Sequence, residues 1–402
     1  MNPLAIAPSR PARLDSVLTF AWDSGEFTAS DAMAATGLTR STTIEALDEL
    51  VELGLLVELP NAREAGEYSK GRPARRFSLA RDAAVLVGVD AGERHITVRV
   101  ADLRSQPLST LSIEVDSDAD AADVRSRLVV NAIETALEEA HRSRDDVLSL
   151  CIGVPAPVGS DGRSPRHPQN YWARTNPSFV DAMSWAPIVR IDNDASLAAV
   201  AEGSVGGAVG SENYIALLAG ERLGAGVVVD GRLLRGAHGG VGEMVAFANV
   251  VGVGGSDGIG TRLTRWAINA RAHDEYAADA PLARLAVDEL TGRAILDLAA
   301  AGDPDAVALI ERAGVLLSRI VSVMAGMFDP AHFVVSGAIS AGIAPVVESA
   351  RQHLPKDMHL PAPELVISPL GGDVVVLGAL AAASTAARDR VLDVWVERTP
   401  VG

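Results

Sequence analysis

The sequence predicts an α/β protein in which a small helical unit closed by a β-hairpin precedes two α/β halves that face a cleft. Three observations predict it. Residues from about 13 to 80 carry three short helical segments with apolar spacing, followed by two strand-like runs around a polar, turn-rich stretch. From Ala84 onward, short Val/Ile runs alternate with alanine-rich helical segments, the pattern of strands and helices in one sheet. That alternation begins again at "YIALLAGERLGAGVVVDGRLLRG", which starts at Tyr214. A chain of 402 residues, 48% of them hydrophobic, exceeds what one core usually serves and supplies ample apolar surface for several.

In the N-terminal unit, "RLDSVLTFAW" is the first helix. The second is "TASDAMAATG", opened by a Thr or Ser cap and ended by Gly37, and the third is "TRSTTIEALDELVELG", ended by Gly54. Ile44, Leu47, Leu50, Val51 and Leu53 follow the helical apolar spacing of the third helix. That leaves Arg40, Ser41, Thr42 and Thr43 at its open N-terminal end, the end that meets base edges and phosphates when such a helix enters a major groove. "LLVELP" and "RRFSLA" read as the two strands of a hairpin, joined by the long wing "NAREAGEYSKGRPA". Within the wing, "KGRPARR" places an arginine between Gly and Pro, a narrow extended strand suited to a minor groove. The candidate DNA-binding residues are therefore Arg40, Ser41, Thr42, Thr43, Lys70, Arg72, Pro73, Arg75 and Arg76. A three-helix interaction module with a solvated basic loop is the competing interpretation.

Charge bounds the partners. A formal net charge of −17 excludes a chain that coats nucleic acid or anionic membrane along its whole length. From Arg63 to Arg81, however, six basic residues face two acidic ones, so a local basic segment sits in an acidic protein. No run of about 18 uncharged apolar residues appears, and the N-terminus lacks the layout of a signal peptide, so the expected location is cytoplasmic. The single cysteine, Cys151 in "LSLCIGV", reads as a core residue, and any metal would need His, Asp or Glu ligands.

The α/β region opens with "VLVGVDAG", "ITVRVADL" and "LSIEVD", then a helix around "VRSRLVVNAIETALEEAHR", then "VLSLCIGVPAPV". The turn between the first two strands carries Asp90 at the bend, followed by Glu93, Arg94 and His95. A carboxylate there would repel an incoming triphosphate, which argues against a phosphate-binding turn. "IDNDASLAAVAEG" ends a strand and opens a helix, placing Asn193 and Asp194 at a strand tip where α/β folds bind ligands. Asp194 could take a proton from a hydroxyl or accept a hydrogen bond from one, while Asp192 or Asp194 could equally be a helix cap. The expected division is residues 1–82, 83–205 and 206–402, with the C-terminal helix returning to the first half. The loop "HGGVGEMVAF", His238 to Phe247, could cradle phosphate, hold zinc, grip a sugar or merely turn.

Taken together, "GRPARRFSL", "GVDAG", "GVPAPV", "VRIDNDASLAAVAE", "LGAGVVVDGRLLRGAHGGVGEM" and "GDPDAVALIERAGVLLSRIVSVMAGMFDPAHFVVSGAIS" resemble the ROK family of repressors, open reading frames and sugar kinases over nearly the whole chain. The resemblance implies a winged helix-turn-helix followed by a two-lobed actin-like (sugar kinase/ribonuclease H-like) domain, a sugar pocket between the lobes, and assembly as a dimer or tetramer. It implies that Asn193, Asp194 and Glu243 match sugar-contacting positions and that Asp194 matches the catalytic base of the kinases; Asn170 and His238 complete the candidate sugar-binding set. Kinase members carry Asp-x-Gly-Gly-Thr where this chain has Asp90-Ala91-Gly92-Glu93-Arg94. The family's zinc region follows its Glu, three residues on, with His and then a cysteine cluster, whereas here Glu243 is followed by Ala246 and a cysteine-free "ANVVGVGGSDGIG". The expectation is a repressor-type regulator without zinc, cofactor or kinase activity, reading a double-stranded DNA operator in response to a sugar or sugar phosphate. An ATP-dependent sugar kinase with an added DNA-binding domain is the alternative.

Overall fold

A computed structural model describes residues 12–60, 74–115, 121–167, 170–357 and 359–398. The N-terminal unit runs α1 (Ala12–Asp23), β1 (Phe27–Thr28), α2 (Ala29–Thr36), α3 (Arg40–Glu52), β2 (Leu56–Leu59) and β3 (Arg76–Leu79), with the antiparallel sheet order β1-β3-β2. Local chemistry sets the helix ends. Thr28 and Asp31 cap α2 reciprocally, Gly37 ends it in the left-handed region, and Thr39 caps α3 by accepting from the Thr42 amide. The inward face of α3 is Thr43, Ala46, Leu47 and Leu50, one helical stripe counted from that cap. Thr43 is therefore not at the open end as the sequence suggested: it is fully buried and its hydroxyl donates to the Thr39 carbonyl at 2.9 Å. The two-residue β1 is too short to leave a periodic signal, and only its pairing to β3 reveals it.

The first half contains β4 (Val85–Ala91), β5 (His95–Asp102), β6 (Pro107–Glu114), α4 (Ala122–Glu139), β7 (Val147–Val154), α5 (Tyr171–Thr175), α6 (Phe179–Ala182), β8 (Ile188–Asn193) and α7 (Asp194–Val205). The second contains β9 (Tyr214–Leu218), β10 (Gly224–Val229), β11 (Arg232–Leu233), α8 (Ile259–Ala272), α9 (Pro281–Arg284), α10 (Gly292–Ala300), α11 (Pro304–Phe328), β12 (His332–Ser336), α12 (Ala344–His353), β13 (Glu364–Ile367) and α13 (Val374–Arg398). The sheet orders are β6-β5-β4-β7-β8 and β11-β10-β9-β12-β13. In each, three strands follow one another antiparallel and two more add in parallel on the other side, so the two halves repeat one topology. The central β4 and β7 are buried along their entire length, Cys151 included, because helices cover both faces.

Two helices tie these parts together. A division at residue 205 would give α7 to the first half alone, yet Ala199 lies in one apolar cluster with Tyr214, Ala216, Val228 and Val334 of the second sheet. The opposite side of α7 meets α13 through Leu197, Ala198 and Ala201 against Val375, Ala379 and Ala382. Gly378 permits that approach, since a Cβ there would lie 1.9 Å from the Leu197 carbonyl oxygen. α13 crosses β4, β7 and β8, and its C-terminal turns then enter the core of the N-terminal unit through Ala387, Val391, Leu392 and Val394. Arg388 pairs there with Asp23, and the Trp395 indole donates to the Leu53 carbonyl at 2.7 Å.

Candidate functional site

The N-terminus of α7 organises the cleft. Asn193, not Asp192 or Asp194, caps the helix: its side-chain oxygen accepts from the Ser196 amide at 3.0 Å, and its amide group donates to the Ala156 carbonyl at 3.2 Å and to Asp194 Oδ1 at 3.1 Å. Asp192 is drawn elsewhere because Arg235 binds both its oxygens, at 2.6 and 2.7 Å, and Arg190 adds a contact at 3.2 Å. Asp194 Oδ1 also accepts from the Ala195 amide at 2.7 Å. Burial, then the charges of Asp90 and Glu243, push the Asp194 carboxyl up to about 7, against the opposing pull of the Ala195 N–H and Arg222. Burial likewise raises Glu243, and Arg222 partly offsets it.

Glu243 reaches this group because its loop is held on both sides. An isolated antiparallel bridge pairs it with Gly224 in the second half. At Gly239 (φ +70°), the loop backbone lies so close to the first half that a Cβ would fall 1.9 Å from the Val158 carbonyl oxygen. Asn193 and Asp194 thus bond directly, and Glu243 is close enough for its charge to act on Asp194. His238 and Asn170 are exposed, the latter in the left-handed region ahead of α5, and among the described residues neither side chain bonds to that group.

The β4–β5 turn faces the same cleft. Asp90, buried, hydrogen-bonds with His95 Nε2 at 2.9 Å; that bond holds the imidazole above its ordinary range despite the opposing effect of burial. Arg125 donates to the Ala91 carbonyl at 2.5 Å and to that of Gly92. Glu93 accepts from the Tyr171 hydroxyl at 3.4 Å, Arg94 lies 3.3 Å from Glu221, and the Arg222 guanidinium stacks 5.0 Å over the Tyr171 ring. The turn of the first half and the Gly220–Gly224 connection of the second are therefore joined by side-chain contacts between the halves. Sequence reasoning missed Tyr171, Glu221 and Arg222. The available signal was two opposite charges inside the glycine-rich "GERLGAG", but their partners are distant in the chain.

On the N-terminal unit, Arg40 and Ser41 are exposed at the start of α3 and Thr42 is half-buried. Arg75 is committed internally: it binds Glu58 through two nitrogens and Asp48 through a third, and lies 5.0 Å over the Phe77 ring. Arg76 pairs with Glu26. Both brace the unit instead of projecting as bare cations, which the basic run could not reveal because those acids come from α3, β2 and the α1–β1 turn. Lys70, Arg72 and Pro73 lie outside the described residues. The donor set does not fit zinc: among the described residues no group of three His, Cys, Asp or Glu side chains could hold a metal ion, and Asp257, beyond Glu243, is held by Arg265 at 2.5 Å.

The ROK family pattern matches residues 86–386. The chain belongs to the ROK family. This ROK protein is 24% identical over 309 residues to a glucokinase of Halalkalibacterium halodurans, an overlap of 73% of this chain and 92% of that one. It is 25% identical over 210 residues to a xylose repressor of Caldicellulosiruptor bescii, an overlap of 52% of this chain and 51% of the repressor. The crystal structure of a ROK family transcriptional regulator, a homolog of the E. coli MLC protein, superposes with a TM-score of 0.71 at 20% identity, covering 96% of this chain and all of that one. The fold shared with that regulator spans nearly the whole chain, most of the N-terminal unit included. Among the described residues, no helix is long and apolar enough to cross a membrane.

Proposed function

We propose that this ROK protein is a cytoplasmic, sequence-specific transcriptional regulator, acting as a repressor of sugar uptake or metabolism genes, whose kinase-like cleft binds a sugar without phosphorylating it. The observation that carries this reading is the α1–β3 unit, which shares one core with the end of α13 and whose order of elements supports a winged helix-turn-helix. A homodimer would set two α3 helices, led by Arg40, Ser41 and Thr42, into successive major grooves, with the wings carrying Lys70, Arg72 and Pro73 in the flanking minor grooves. Asn193, Asp194 and Glu243 hold the sugar or sugar phosphate. Its effect passes from the cap of α7 to α13 across Leu197 and Gly378, and from α13 to α3 through Trp395.

Against phosphoryl transfer stand Glu93 and Arg94, which fill the turn, Glu93 engaging Tyr171 within the first half and Arg94 engaging Glu221 across the cleft. One observation favours the alternative of a sugar kinase: a carboxylate pushed up to about 7 is well matched to a general base at neutral pH. The test is a gel shift with the DNA upstream of the protein's own gene, over a panel of hexoses and pentoses. A specific complex that a sugar alters, and that Arg40→Ala or Arg72→Ala weakens, supports the regulator. No specific complex, together with sugar-dependent ADP release abolished by Asp194→Asn, overturns it in favour of the kinase.

A further inference from the structure

We propose that the second half carries an anion-binding site, separate from the sugar cleft, that takes a small polyanionic metabolite between α8, α11 and the loop of residues 248–254. A cavity of about 590 Å³ lies there, and Arg262, Arg312 and Arg319 line it. That volume falls in the range of small-molecule sites and far below what a docked protein or nucleic acid requires.

Many arginines of this acidic chain are paired with a carboxylate; among the described residues, the three that line this cavity are not. Arg75, Arg163, Arg235 and Arg388 each meet a carboxylate within 3 Å. Among the described residues, no carboxylate lies within ion-pair distance of Arg262, Arg312 or Arg319. Arg262 is only 4% exposed and donates to two backbone carbonyls, of Asp257 at 2.8 Å and of Gly255 at 2.9 Å. Burial accordingly lowers its guanidinium below the ordinary range, and the one acidic side chain near it, Asp257, is engaged by Arg265. A buried cation without a counter-charge is costly, and a bound anion relieves that cost.

Geometry directs the other two toward the same space. Arg312 and Arg319 are seven residues apart on α11, two helical turns, and so project from one face. Arg312 stacks 4.1 Å over the Trp266 ring of α8, which orients its fork. Arg319 lies directly beneath the loop: a Cβ at Gly252 (φ +78°) would fall 1.4 Å from its Nη1, so the guanidinium sits against the loop backbone there. Planar forks presented by α8 and α11 to one cavity match the oxygens of a phosphate monoester or of neighbouring carboxylates. Because Arg312 already covers a face of Trp266, a compact anion fits better than a nucleotide needing that ring for its base.

The test is isothermal titration calorimetry of the full chain with glucose 6-phosphate, citrate, inorganic phosphate and glucose. Saturable binding of glucose 6-phosphate or citrate at one site per chain, beyond any in the sugar cleft, is expected; that site is weakened at least tenfold by Arg319→Ala, lost in Arg312→Ala/Arg319→Ala, and unchanged by Glu243→Ala in the sugar cleft. Whichever of the two polyanions binds more tightly identifies its source as a sugar phosphate or a polycarboxylate. Both arginines are exposed on a formed helix, so circular dichroism should show the variants folded. Absence of saturable binding, binding that survives both substitutions, or binding abolished by Glu243→Ala would overturn the proposal; so would a heat that follows ionic strength alone. None of these outcomes bears on DNA binding.

Discussion

Asp194 is held away from the ordinary carboxylate range by its surroundings, and this gives a signed prediction. Its folded value of about 7 lies above the value near 3.9 of an unfolded aspartate, so the folded state holds the proton more tightly. The carboxyl then costs no stability below pH 4, and that cost grows as pH rises to about 7. Asp194→Asn keeps the oxygen that accepts from Asn193 and Ala195 while removing the charge. Denaturant unfolding should find the variant more stable than the parent by about 2–4 kcal/mol at pH 8 and by much less near pH 4. Equal stability across that range would show that the Asp194 carboxyl is not held above its ordinary range by burial and its charged neighbours. At this scale the sequence was informative where a residue's role depends on its immediate neighbours, as for Asn193 and Asp194 at a strand tip. It failed at Thr43, where the phase of the helix decides burial, and at Arg75, whose acidic partners Asp48 and Glu58 lie 27 and 17 residues away.

In the proposed regulator, helices α3, α7 and α13 would carry the coupling between the cleft and the N-terminal unit, since α13 packs on α7 and reaches the end of α3. α3 and α7 were legible from caps and apolar spacing, because an N-cap and the stripe it starts are local properties. Their partners were not. α7 ends the first half in sequence but packs against the second sheet and α13, since alanine and glycine let three backbones approach closely. Trp395→Phe keeps an aromatic ring but removes the indole N–H that donates to the Leu53 carbonyl, together with part of the packed ring surface. It should cost about 1 kcal/mol of stability by thermal unfolding. It should also reduce the sugar-induced change in DNA affinity several-fold while leaving sugar binding intact; an unchanged response would remove Trp395 from the route between α13 and α3.

Across the whole molecule, contacts between the halves set the shape of the cleft: Arg235 with Asp192, Arg94 with Glu221, and the Gly239 loop on Val158. The Arg235 pair is the strongest of these by geometry, with both carboxylate oxygens engaged and Asp192 almost fully buried. Arg235→Ala leaves Asp192 with Arg190 alone. Its cost should be about 1–3 kcal/mol, below that of breaking a fully buried pair because Arg235 is partly exposed, and sugar affinity should fall with it. Stability and sugar affinity both unchanged would mean that this pair does not hold the halves together.

The sequence by itself determined most of the elements, the repeated α/β plan and family membership through its motifs. Each is written in neighbouring residues or in a periodicity of a few positions. The tertiary structure alone decided which charges meet. It joined Arg94 to Glu221 across the cleft, buried Thr43, paired Arg75 with Asp48 and Glu58, and gathered Arg262, Arg312 and Arg319 around one cavity. Electrostatic and hydrogen-bond partners are set by distance in space, and spacing along the chain carries no record of that distance once helices and strands have folded back on one another.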